Sequence, residues 1–190
     1  MTGMGEEGVW TMDRLLEADR DGRPLKFVLF WGHSASRGSG LGPHVLSQWW
    51  PHEFAVDGVS YPTAEHFMMA EKARLFGDEL RLAEILGARS PGAAKAAGRR
   101  VAGFDDDVWC ERRIEIVVRG AVAKFGSDEG LRAFLLGTGD RVLVEASPRD
   151  RIWGIGMGKD NPDAAHPSRW RGLNLLGLSL MHARAQLCVG

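Results

Sequence analysis

The 190-residue chain has few cysteines and almost no tyrosine: Cys110, Cys188 and Tyr61 are all there is. Two thiols cannot build a disulfide framework or a four-thiolate metal site. A chain of this length buries roughly two-thirds of its unfolded surface and needs neither to fold. No apolar run nears the ~20 residues of a membrane span, and Met1 to Trp10 lacks the apolar core of a signal peptide. A reducing cytoplasm is the expected compartment, with no membrane partner. Neither sign of charge is in excess. Lys plus Arg is 24 and Asp plus Glu is 25, which excludes a general nucleic-acid coat while leaving room for a local basic patch. The six histidines (33, 44, 52, 66, 166 and 182) fall in no HExxH spacing. There is no P-loop and no G-x-S-x-G elbow, and Gly38, Gly40 and Gly42 follow no strand-to-helix fingerprint. No metal and no dinucleotide cofactor is expected.

What the chain does have is tryptophan, seven in all. Several sit beside Gly, Pro or charge rather than in apolar runs, as rings that stack on a flat ligand do. The pattern along the chain predicts a single α+β domain over 26–190, helix-dominated with a small sheet, preceded by an extension over 1–25 (a Gly-rich start, a short helix over Val9–Ala18 and a turn). Lys26–Trp31 reads as a buried strand and 32–43 as a Gly- and Ser-rich loop. Phe54–Tyr61 is a hairpin turning at Asp57-Gly58. Helices are expected from Thr63 to about Phe76, over Glu79–Leu86, Ala93–Gly98, Asp105–Phe125, Asp128–Leu136 and Leu175–Leu187. In the longest, Cys110, Ile114, Val117, Ala121 and Phe125 follow helical spacing toward a core. Short strands are expected over Arg141–Glu145 and Ile152–Ile155, with a loop from Gly156 to Arg171. Strands do not alternate regularly with helices, so a Rossmann layout is not expected.

Three constellations can carry chemistry. Glu65 and Lys72 lie seven residues apart, close to two helical turns, and project from one face with Met68 and Met69 between them. A carboxylate and an amine flanking an apolar strip are costly unless something binds there. Burial there would raise the Glu65 pKa and lower that of Lys72. The alternative is an exposed Glu and Lys on a solvated helix face. Second, Asp150 precedes Trp153, with Gly154 and Gly156 permitting close approach; Trp153 is either a pocket wall or a core residue. Third, Asp105–Asp107 complement a helix N-terminus, and Trp109 behind them either packs inward or lines a cleft. Two basic stretches, Arg89, Lys95, Arg99 and Arg100, then Arg149, Arg151, Lys159, Arg169 and Arg171, can meet a phosphate or simply face solvent.

Six segments taken together resemble the YbiA-like, or NADAR, family: Phe30–His33, Leu46–Pro51 (LSQWWP), Phe54–Ala70, Lys72–Asp78, Arg151–Gly156 (RIWGIG) and Trp170–Gly177 (WRGLNLLG). The resemblance spans about residues 26–187. It implies a single domain that cleaves N-glycosidic bonds. One branch acts on ribosylaminopyrimidine intermediates of riboflavin synthesis, and another removes ADP-ribose from guanine bases. By the same resemblance Glu65 and Lys72 match the family's glutamate and helix lysine. Trp109 and Trp153 match the pocket tryptophans, and Asn174 matches the polar member of the late G-x-N-x-x-G element. Asp160 and Asn161 match only weakly. Ser47-Gln48 stands where many members have Ser-Asn.

The expected substrate-binding set is Trp109, Trp153, Gly154, Asp150, Asp160 and Asn174, around catalytic Glu65 and Lys72. The expected activity is hydrolysis of the bond between a ribose C1 and a heterocycle nitrogen or its amine. The partner is a phosphorylated riboside; nucleic acid enters only if the substrate is ADP-ribosylated guanine. The rival is an ADP-ribose or nucleotide-binding module without turnover, which would not need Glu65 together with Lys72. A helical interaction protein with core tryptophans is the third reading.

Overall fold

Helix starts are written into the sequence as capping side chains. Thr11, Thr63, Asp78, Ser90, Asp105 and Asp128 each accept a hydrogen bond from the backbone N–H three residues on, satisfying a donor that every helix start leaves unpaired. They open α1 (Met12–Arg20), α2 (Ala64–Leu75), α3 (Glu79–Leu86), α4 (Pro91–Gly98), α5 (Asp106–Gly126) and α6 (Glu129–Gly137). The computed structural model describes residues 9–32 and 40–189. The Gly-rich start and His33, with most of the loop around it, lie outside the described residues.

Strands are few. β1 (Phe27–Phe30) pairs in parallel with β4 (Val142–Glu145), and β2 (Phe54–Val56) pairs antiparallel with β3 (Val59–Tyr61). The class is α+β, with the strand content in two separate two-stranded ladders. Asp57 at the hairpin turn takes a positive φ of 50°, a conformation Asp tolerates better than most residues. The run Lys26–Trp31 is less buried than its composition suggests. Only Phe30 is buried and Trp31 is 59% exposed, whereas the partner strand β4 is buried at Val142, Leu143 and Val144.

No strand forms over Ile152–Ile155. The Asp150 carboxylate accepts from the N–H groups of Ile152 and Trp153 (2.9 and 2.7 Å). The carbonyls of Ile152 and Trp153 accept from Leu175 and Leu176 at the start of α7 (Leu175–Val189). The segment thus caps a helix instead of extending a sheet.

α2 lies at the centre, with Ala64–Ala70 and Ala73 all buried. It packs against α3, α4 and α5. Two glycines make the approach possible. A Cβ on Gly120 of α5 would stand 2.5 Å from the Phe67 ring, and one on Gly98 of α4 would overlap the Met69 side chain. On α5 the expected stripe holds at Val117, Ala121 and Phe125 but not at Ile114, which is 37% exposed. The buried face runs instead through Trp109, Gly120 and Lys124. α1 docks by burying Leu15 and Ala18, and Asp19 accepts from the N–H and hydroxyl of Ser168 (2.9 and 2.5 Å).

Candidate active site

The first turn of α2 delivers Glu65. Thr63 caps the helix and also meets His66 Nδ1 at 2.8 Å, while His66 Nε2 lies 3.2 Å from the Ala88 carbonyl. The Glu65 N–H donates to the Gln48 carbonyl at 3.0 Å. The turn is therefore held from both sides, and the Glu65 side chain is 2% exposed. It faces the floor of a cleft of about 510 Å³, within the usual range for small-molecule sites. Lys72, Met68 and Met69 line the same cleft, as the helical spacing predicts.

The two ends of this strip differ. Burial lifts the Glu65 carboxyl to about 6, opposed by nearby Lys95 and a hydrogen bond from Trp49. Lys72 is only half-buried. Burial lowers its pKa and the Asp106 charge opposes this. Its Nζ stands 3.9 Å from the centre of the Phe104 ring and 5.7 Å from that of Trp109, a cation–π contact.

Trp109 and Trp153 form the apolar walls. Trp109 is 8% exposed and Trp153 half-buried, and both also touch the core. Each therefore joins the two roles that spacing leaves open. Asp150 lines the cleft as well, with its Oδ1 taken up by the Trp153 N–H that sets the ring's position. From the basic stretches Lys95, Arg99, Arg149 and Arg151 reach the cleft. Among the described residues none of these four is in a salt bridge, whereas Arg100 pairs with Glu84 and Arg169 with Asp163.

Three expected residues stand outside the cleft lining. Gly154 is buried beneath it; a Cβ there would lie 2.8 Å from the Glu145 carbonyl and 3.1 Å from that of Asp150. Asn174 is fully buried and has a positive φ of 52°. Its Oδ1 accepts from the Glu145 N–H and its Nδ2 donates to the Leu143 carbonyl (3.0 and 2.9 Å). It ties α7 to β4 and touches no part of the cleft. Asp160 is exposed on the loop after Gly156. Conversely, Phe104 meets Lys72, and Trp49 and Glu145 stand beside Glu65 just off the cleft; spacing alone singles out none of the three. Trp49 stands in the LSQWWP segment, where its neighbours carry the only signal. Among the described residues no group of three His, Cys, Asp or Glu side chains could hold a metal ion, and no helix is long and apolar enough to cross a membrane.

Known proteins resemble this chain in sequence and fold. An N-glycosidase of Acanthamoeba polyphaga mimivirus, R617, is 37% identical over 166 residues, covering 85% of this chain and 96% of its own. The N-glycosidase YbiA of Escherichia coli is 34% identical over 140 residues, covering 74% and 78%. The chloroplastic riboflavin biosynthesis protein PYRR of Zea mays is 34% identical over 161 residues, but the match covers only 23% of that longer protein and 78% of this chain. The NMR structure of E. coli YbiA superposes with a TM-score of 0.68 at 27% identity, covering 97% of this chain and 91% of the other. The model of the NADAR domain matches residues 29–188, from the β1 strand to the end of α7, and so takes in every residue that lines the cleft. The chain belongs to the NADAR domain family.

Proposed function

We propose that the protein is an N-glycosidase that hydrolyses the bond between a ribose C1 and the nitrogen of a flat heterocycle or its amine. The observation that carries this reading is the buried Glu65 carboxyl on the floor of a cleft walled by Trp109 and Trp153. Cleavage of such a bond builds oxocarbenium character at C1. A carboxyl with a pKa near 6 can take a proton from water and return it to the leaving nitrogen near neutral pH. The indole walls hold the heterocycle by stacking, worth roughly 1–3 kcal/mol per base in single-strand binders. The relatives named N-glycosidases support the same reaction.

The preferred substrate is a ribosylaminopyrimidine phosphate of riboflavin synthesis, supported by the likeness to the maize riboflavin biosynthesis protein. A reducing, cytoplasmic location goes with this reading, since the two cysteines are free thiols. One observation favours a second substrate. Lys95, Arg99, Arg149 and Arg151 around the cleft offer more cations than a phosphate monoester requires and suit the diphosphate of ADP-ribosylated guanine. A binding module without turnover would not require a desolvated carboxyl and amine on one strip.

The deciding experiment offers the protein each substrate separately and detects products by mass. Release of ribose phosphate from the aminopyrimidine at a higher kcat/KM than release of ADP-ribose from guanine supports the first substrate. The reverse order selects the second. Tight binding of both with no product makes the protein a binding module.

A further inference from the structure

Glu145 is a carboxyl for which neither the fold nor the reaction outlined above has given a reason. It ends β4 with its backbone held at both sides. Its N–H donates to Asn174 Oδ1 and its carbonyl accepts from the Ile155 N–H (3.0 and 2.9 Å). So fixed, the side chain lines a chamber of about 40 Å³ that opens off the cleft floor, shared with Glu65, Asp150, Lys95 and Trp49. That volume admits about one to three water molecules. No protein group hydrogen-bonds Glu65 Oε1 or Glu145 Oε2, although both atoms are buried. Buried polar atoms are normally paired, and a water in the chamber is the partner small enough to meet both.

Resting on the N-glycosidase reading, we propose that Glu145 is a positioning residue for hydrolysis: as a neutral acid it donates a hydrogen bond to the chamber water and holds that water against the Glu65 carboxylate. Glu65 takes a proton from this water as the water oxygen bonds to C1. The C1–N bond breaks, its electron pair goes to the nitrogen, and Glu65 passes the proton to that nitrogen. If Lys72 instead displaces the heterocycle nitrogen, which leaves with the electron pair and a proton, and ring opening gives an imine at C1, the same water adds to that carbon. Both of its protons pass to the Lys72 nitrogen, by way of Glu65, as the C–N bond breaks and C1 becomes an aldehyde carbonyl. Glu145 keeps its own proton throughout.

The groups that act on Glu145 explain why it stays protonated. Burial and the Asp150 charge raise its pKa to about 7, Glu65 adds to this and Lys95 opposes it. Glu65 is raised by burial too, but a hydrogen bond from Trp49 favours its charged form, and Glu145 has no such donor among the described residues; the first proton the pair loses is assigned to Glu65 on that asymmetry. Interacting carboxyls of this kind lose their protons in two steps that belong to the pair. Turnover should rise as Glu65 ionises and fall as Glu145 does, because an ionised Glu145 has no donor and adds a like charge beside Glu65.

The test is the pH profile of kcat for wild type, Glu145→Gln and Glu145→Asp on whichever riboside the wild type cleaves. The wild type should give a bell. Glu145→Gln, whose amide is a permanent neutral donor, should keep the acid limb and lose the alkaline one. Glu145→Asp, still an acid, should keep both. An alkaline limb unchanged in Glu145→Gln overturns the inference alone; absence of turnover by the wild type on any riboside overturns the functional reading and this inference with it. If Glu145→Gln does not fold, infrared titration of the wild type decides. A protonated carboxyl band lost near pH 7 supports the inference, and the absence of any carboxyl titrating there overturns it.

Discussion

Lys72 shows how much of a side chain's chemistry its neighbours decide. Seven-residue spacing from Glu65 puts it on the right strip of α2, and that much is legible in the sequence. Its aromatic partner is not. Phe104 precedes α5 in a loop, and only the fold brings its ring to 3.9 Å from the amine. The ring face favours the ammonium, while burial, which lowers the Lys72 pKa, favours the neutral nucleophilic amine. A Schiff-base role requires the second to prevail when the sugar enters. Borohydride added during turnover should then trap an adduct on Lys72, heavier by the sugar portion. Lys72→Arg should abolish trapping and hydrolysis together, because a guanidinium keeps the charge and is not a nucleophile. An active Lys72→Arg enzyme that traps nothing makes Lys72 a phosphate anchor and leaves attack to water.

At the scale of elements, capping residues and hydrophobic spacing predict the seven α-helices of the described residues, because those signals are local, but not the short 3-10 turns over Pro43–Leu46, Pro162–Ala165 and Pro167–Arg169. The failures are tertiary. Ile152–Ile155 reads as a strand because it is short, apolar and followed by glycine, yet its carbonyls are consumed by the start of α7. On α5, Lys124 stands in the last turn, where a lysine commonly faces solvent and complements the helix dipole. It is instead 1% exposed and donates to the carbonyls of Val45 and Ser47 (2.7 and 2.9 Å). Burial alone pulls its pKa down to about 7. This lysine pins the segment that supplies the Gln48 carbonyl and the Trp49 hydrogen bond to Glu65. Lys124→Met strips two buried carbonyls of their donor, at a cost of roughly 1–3 kcal/mol for each. Thermal melts should record that loss. Activity per folded molecule should fall as well, since Glu65 loses a support. A variant that melts like the wild type and turns over normally would remove Lys124 from the account.

Across the whole molecule a net charge of -1 conceals a local concentration of both signs: Lys95, Arg99, Arg149 and Arg151 line the cleft, Glu65, Asp150 and Glu145 meet around the chamber beneath it, and Lys95, Glu65 and Asp150 belong to both. Glu65 comes from a helix, whereas Glu145 and Asp150 come from a distant strand and the loop that directly follows it. No periodicity reveals their meeting, in which Glu145 is fixed by hydrogen bonds of its backbone with Asn174 and Ile155. The α+β class is legible from patterning, and Glu65, Asp150 and the two tryptophans from their local surroundings. Asn174 is legible as a motif member but not in its part, which is to hold β4 rather than line the cleft. The central claim is that the buried carboxyl of Glu65 performs the hydrolysis, and it is tested most directly by mass detection of released sugar phosphate from a ribosylaminopyrimidine phosphate and from ADP-ribosylated guanine, with wild type and Glu65→Gln side by side. The account predicts release by the wild type and a loss of at least roughly 10²-fold in the folded, isosteric variant; equal turnover by the two proteins would contradict it.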